Sequence, residues 1–117
     1  MAFEFGNQSK SYLSKILRHD TNAFKAFSYQ NLSISSASVF TPTVPDGTKY
    51  MEIRVESSVT ASVALRYLIT GANPTSTDGM ALNHLDLLDI TDAQNINNFK
   101  VIRTGAGTHN LHITYYK

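Results

Sequence analysis

The sequence predicts a mainly β fold: an antiparallel β-sandwich or barrel-like domain behind a short N-terminal helical or extended arm. Three observations carry that expectation. Apolar and polar residues alternate with a period of two over most of the chain after Ser28. Turn signals built on Pro, Gly and Asn recur roughly every 8–12 residues. No helical pattern separates the later segments, so a parallel sheet with crossover helices is not expected.

The arm comes first, as residues 1–27, with the β domain as residues 28–117. Between Ser9 and Phe27 the residues Tyr12, Leu13, Ile16 and Leu17 fall at i, i+1, i+4 and i+5, one stripe of a helix. Ser9 or Ser11 can cap its start, and His19-Asp20-Thr21-Asn22 reads as its stop. A helix this short is marginal alone and needs a surface to lie on. Phe3, Phe5, Phe24 and Phe27 add apolar area outside the β alternation. This surface either folds back on its own sheet or docks on another subunit, because an exposed patch of that size is unusual. The low charge of the chain favours docking, which makes Phe3, Phe5, Tyr12, Leu13, Ile16, Leu17, Phe24 and Phe27 the candidate interface.

From Ser28 onward, Leu32 and Ile34 alternate with Ser33 and Ser35, and Val39-Phe40 closes the first strand region. Val44-Pro45-Asp46-Gly47-Thr48 is a turn, with Pro presetting φ and Gly accepting a positive one. Met51, Ile53 and Val55 alternate with Glu52, Arg54 and Glu56, a strand with one wet face. Val63, Leu65, Tyr67 and Ile69 make the next inward row. The polar run from Gly71 to Gly79 is a surface loop. Leu85, Leu87 and Ile90 suggest a strand that is bulged where the alternation slips at Leu87-Leu88. Residues 93–98 are a connection. Phe99 and Val101 open a strand reaching Thr104, and Gly105-Ala106-Gly107 turns it into a last strand. There Leu111, Ile113 and Tyr115 oppose His112, Thr114 and Tyr116.

The chain has 117 residues, enough for one domain with one modest core. With 42% hydrophobic and 16% charged residues, disorder over most of its length is not expected. The net charge is +1, and from Asp46 onward seven acids stand against six bases, so the concentrated basic face of a nucleic-acid binder is missing. There is no cysteine, which excludes disulfides and cysteine-based zinc sites. The opening MAFEFGNQSK has neither a basic nor an apolar signal region, and no apolar run reaches bilayer length. Synthesis in a cytoplasm and no membrane association are expected.

Chemistry-bearing patterns are sparse. His109 and His112 are three apart on a strand and so face opposite ways, whereas a strand-borne zinc pair needs i and i+2. Asp86, Asp89 and Asp92 recur in LDLLDITD, but Leu87, Leu88 and Ile90 interrupt them and no Gly or terminal Glu completes a calcium loop. A solvated face explains them better. No serine lies in a G-x-S-x-G elbow. Gly105-Ala106-Gly107 is too short for a phosphate cradle and suits a hairpin turn. Tyr50, Tyr67, Tyr115 and Tyr116 could make a sugar- or base-stacking platform, although strand tyrosines more often bury the ring and wet the hydroxyl. No catalytic, cofactor or metal residue is nominated, and the chain is not expected to be an enzyme.

Two stretches carry a resemblance. MEIRVESSVTASVALRYLITGANPTSTDGMAL and FKVIRTGAGTHNLHITYYK together span most of residues 50–117. They resemble, in order, the strand, apolar strand, G-x-x-P-T loop and closing Y-Y hairpin of small bacteriophage virion structural proteins. These are capsid decoration or cement proteins, or accessory β domains of the neck and tail. The first 45 residues show no such pattern. The resemblance implies a non-enzymatic component of the virion, made in the host cytoplasm, that binds the major capsid protein or other virion subunits as a homo-oligomer in the particle. It implies no cofactor, nucleic acid or membrane. The alternative is a carbohydrate- or host-surface-binding β module on a phage fibre or particle surface, using the 71–79 loop with nearby tyrosines.

Overall fold

In the computed structural model, which describes residues 24–117, the alternating segments become two antiparallel sheets. The strands are β1 (Ala26–Ile34), β2 (Tyr50–Ser57), β3 (Leu65–Leu68), β4 (Met80–Leu82), β5 (Leu87–Thr91), β6 (Lys100–Arg103) and β7 (His109–Tyr116). One sheet has the order β1-β7-β2-β5 and the other the order β4-β3-β6. The chain passes between the sheets at β2–β3, β4–β5, β5–β6 and β6–β7, which binds the two layers into one sandwich-like body. Mainly β architecture is therefore what the alternation specifies. Among the described residues no helix is long and apolar enough to cross a membrane.

The four-stranded sheet is organised on β7, which pairs with β1 on one side and β2 on the other. Ile53 lies opposite Ile113 and Val55 opposite Leu111, so the apolar parity of both strands points the same way. Met51, Ile53, Val55, Leu111, Ile113 and Tyr115 are all buried, and they meet Leu65, Leu82 and Val101 from the facing sheet. Ile34, Phe99 and Ile96 complete one contiguous core. The expected core residues Ile53, Val55, Leu65, Leu111 and Ile113 all lie in it. Val63 does not reach full burial: β3 starts at Leu65, and the preceding Ala64 turns inward instead.

Several elements depart from the simple alternation. β1 ends at Ile34, and Phe40 returns only as a single bridge to Val101, hydrogen-bonded in both directions at 2.8 and 3.0 Å. Residues 93–98, read as a connection, contain a one-turn helix, Ala93–Asn97. Asp92 caps it by accepting from the Gln94 N–H at 2.9 Å, and Ile96 is its buried residue. β4 had no expected counterpart. The 71–79 loop is irregular, as its composition requires, but it is held down. Pro74 is buried, Lys100 Nζ donates to Gly71 O and Asn73 Oδ1, and Arg66 Nη1 donates to Gly79 O. Gly79 has φ 136°, and a Cβ there would sit 3.2 Å from Pro74, Arg66 and the Tyr67 carbonyl.

The strand phase can be tested by truncation. Leu65→Ala, at a fully buried position, should lower stability by about 2–5 kcal/mol in denaturant melts. Leu87→Ala, whose side chain faces solvent on β5, should change it by no more than about 0.5 kcal/mol. Equal losses at the two positions would show that β3 and β5 are phased wrongly.

Candidate functional site

The inward rows of β2 and β7 do not end in apolar residues. Continuing Met51, Ile53 and Val55 by two brings Ser57 inward, and continuing Tyr115, Ile113 and Leu111 brings His109 opposite it. Both are buried, His109 at 1% exposure and Ser57 at 6%. Ser57 Oγ and His109 Nδ1 lie 2.9 Å apart, and the same Oγ accepts the Val59 N–H at 2.9 Å. The Ser57 N–H donates to His84 Nδ1 at 3.0 Å. Two more bonds zip the ends together: Ser58 N–H to Thr108 O, and Thr108 N–H to Ser58 Oγ, both 2.9 Å. Gly107 makes this closure possible, with φ 129°; a Cβ there would meet Val59 Cγ2 at 2.9 Å.

A serine bonded to a histidine invites comparison with a nucleophile and its base. Here the hydroxyl is sealed from solvent and already engaged by a main-chain N–H, so the geometry is that of a structural bond. His109 Nε2 is buried and makes no well-formed hydrogen bond. Burial pushes the His109 pKa below the ordinary histidine value; the Gly105 backbone opposes this, and the Arg103 charge adds to the depression. Burial therefore disfavours the charged form of the ring in the folded chain.

A second polar cluster covers the outer face of the four-stranded sheet. The register sets Asn31, His112, Arg54 and Leu87 in one row, and Tyr29, Thr114, Glu52 and Asp89 in the next. Tyr29 Oη lies 2.6 Å from His112 Nδ1, and His112 Nε2 lies 2.9 Å from Glu56 Oε1. Tyr50 donates to Asp89 Oδ1 at 2.8 Å and Tyr116 to Glu52 Oε1 at 3.2 Å. Burial, followed by the bonded Asp89 carboxylate, raises the Tyr50 pKa well above the usual phenol value. His109 and His112 thus face opposite sides, as strand geometry demands.

The four tyrosines considered as a platform do not converge. Tyr50 and Tyr116 adjoin, with ring centroids 4.8 Å apart and planes tilted by 37°. Tyr67 belongs to the other sheet, packed on Phe99 at 5.6 Å. Tyr115 is buried, donates to Gln30 Oε1 at 2.8 Å, and has its pKa pushed up to about 12 by burial. The 71–79 loop does border a shallow cleft of about 500 Å³, together with Ala37 and residues 102–106. Thr75, Ser76, Arg103 and Thr104 line it, and no tyrosine does.

Each aspartate of LDLLDITD has its own local task. Asp86 Oδ2 accepts the Asn83 N–H, Asp89 accepts from Tyr50, and Asp92 caps the one-turn helix. Among the described residues no group of three His, Asp or Glu side chains is placed to hold a metal ion. Of the candidate interface, Phe3, Phe5, Tyr12, Leu13, Ile16 and Leu17 lie outside the described residues. Phe24 stacks on Tyr50 at 5.8 Å, and Phe27 packs against the core beneath Lys117 Nζ. Lys25 and Lys117 exchange main-chain hydrogen bonds, so residue 28 falls inside strand pairing that has already begun. No protein-family model, curated protein or solved structure matches the chain.

The buried pair generates a test. Ser57→Ala would leave His109 Nδ1 and the Val59 N–H without their partner, at a cost of about 1–3 kcal/mol. His109 protonates more readily unfolded than folded, so its contribution is complete above the unfolded pKa of about 6.5. That contribution is lost as pH falls from there toward the lower folded value. Melts between about pH 5 and 8 should therefore show stability rising with pH, and His109→Gln should remove part of that slope. An unchanged slope would mean that the ring is solvated.

Proposed function

We propose that this chain is a non-enzymatic structural component of a bacteriophage virion that binds capsid, neck or tail subunits and stabilises the particle. The observation that carries the reading is how the surface is divided. The polar groups with chemical potential are tied into the scaffold: Ser57 to His109, Tyr50 to Asp89, Tyr116 to Glu52, and Asp92 to its helix. Among the described residues the large hydrophobic side chains left exposed are Tyr29, Met80, Leu85 and Leu87, which suit packing against protein. The ordered likeness of residues 50–117 to small virion proteins supports the same reading. Its segments coincide with β2, β3, the 71–79 loop, β4, β6 and β7. Such a component acts by adding buried area across joints between subunits, which favours the assembled state by mass action.

A carbohydrate-binding role is the second reading, favoured by the hydroxyl and guanidinium lining of the cleft beside the 71–79 loop. One experiment separates them. Particles purified from cells carrying the gene should contain the protein at a fixed copy number, visible by mass spectrometry and as density in electron micrographs. The purified chain should co-sediment with particles that lack it and stay silent on a glycan array. Absence from particles overturns the structural reading, and array binding abolished by Arg103→Ala would put the glycan reading in its place.

A further inference from the structure

The edge strand β5 carries a conflict that nothing among the described residues resolves. Leu85, just before it, has φ 72°, a left-handed conformation suited to Gly or Asn and strained for leucine. The strain belongs to a bulge. Leu85 N–H donates to Val55 O at 2.8 Å, and Val55 N–H donates to Asp86 O at 3.0 Å, so two residues face one. Asp86 closes the turn before it through its own N–H to Asn83 O and its carboxylate to Asn83 N–H. A leucine forced into this position would be explained by burial, yet its side chain is 62% exposed and that of Leu87 is 45% exposed. An outlier of this kind is grounds for a functional hypothesis.

β5 ends the order β1-β7-β2-β5, so among the described residues one of its sides has no partner strand. With Val55 in a hydrogen-bonded pair, the alternation of an antiparallel ladder makes Ile53–Leu88 and Met51–Ile90 the bonded pairs too. The main-chain N–H and C=O of Leu87 and Asp89 therefore point to the open side. At the far end Thr91 O already receives Asn95 Nδ2, and the one-turn helix follows.

Charge selects the occupant. The open strand is acidic, with Asp89 in its centre and Asp86 and Asp92 at its flanks. A second copy paired about Asp89 would set two carboxylates directly opposite each other. Pairing about Leu87 would set Asp89 against a Leu85 whose N–H is already given to Val55, and pairing about Leu88 would set Asp89 against the Leu87 of the other copy, so no symmetric pairing gives Asp89 a cation. We propose that the β5 edge accepts an extended segment of a neighbouring subunit, laid along residues 87–89 as an added strand. A lysine or arginine of that segment faces Asp89, and an apolar side chain packs on Leu85 and Leu87. This rests on the subunit-binding reading above and gives it a location.

The probe is an acetylated, amidated peptide of alternating valine and lysine, compared with its valine–glutamate counterpart, titrated into the isotopically labelled full chain. The lysine peptide should shift the Leu87 and Asp89 amide signals and slow their hydrogen exchange about tenfold at about ten times its Kd. The glutamate peptide should not, and Asp89→Lys should exchange the preferences. Leu85→Asn should keep or raise Tm while weakening lysine-peptide binding severalfold. No protection at Leu87 and Asp89 overturns the proposal, as does a fall in Tm on Leu85→Asn, which would make the leucine part of this chain's own fold. Concentration-dependent self-association in sedimentation that Leu85→Asn abolishes would replace the proposed occupant with a second copy. If Leu85→Asn and Asp89→Lys still co-sediment with particles as well as the unaltered chain, the edge assignment fails and subunit binding stands.

Discussion

Because β7 pairs along its whole length with β1 and β2, its register decides which side chains of the four-stranded sheet face the core. Ile113 opposite Ile53 and Leu111 opposite Val55 put every large aliphatic of the two strands on one side. A slip of one residue would turn His112, Thr114 and Tyr116 inward and expose Leu111, Ile113 and Tyr115. The closure at the Ser57 end opposes that slip. Ser57–His109 and Ser58–Thr108 form only in the observed register, and Gly107 has room for no side chain. The polar pair is then best understood as a specificity device at the end of an apolar row. Its stabilising contribution is reduced by an imidazole Nε2 that is buried without a well-formed hydrogen bond.

That dependence explains what the sequence made legible. β2 and β7 alternate cleanly because each has one wet and one dry face, so parity alone identified Ile53, Val55, Leu111 and Ile113. The irregularity in this strand was readable but misplaced: β5 pairs regularly at Leu87-Leu88, and the extra residue lies at Leu85-Asp86, which leaves Leu88 and Ile90 inward. The three-stranded sheet was harder. Its strands are three or four residues long, too short for a period to show, and its inward residues include Ala64 and Phe99 from outside the strands. β4 was hidden for that reason, and the 93–97 helix because one turn with a single buried residue carries no periodic signal.

The candidate sites divide along the same line. Extending the inward parity by two residues at the ends of β2 and β7 would have found Ser57 and His109, but the expected inward rows stopped at Val55 and Leu111. The separation of Tyr67 and Tyr115 from the Tyr50–Tyr116 pair depends on which sheet each strand joins, a long-range choice that local pattern does not encode. Leu85 shows the reverse case. Its apolar character argued for an inward strand position, whereas the bulge turns it outward in a left-handed conformation.

Local and global preferences agree along most of this chain, and such agreement is what gives a sequence one fold. Where they disagree, the cost can be traced. At Gly107 and Gly79 the special backbone is met by the residue that suits it, so no conflict is stored. At Asp92 the positive φ is repaid within the chain, because the carboxylate caps the helix that brings Ile96 into the core. At Leu85 nothing among the described residues repays it, since the side chain is mostly exposed there. A strained residue that the described residues leave mostly exposed is accounted for by the proposed neighbouring segment, which would pack on it. The edge it sits on is also where β5 has main-chain groups to offer.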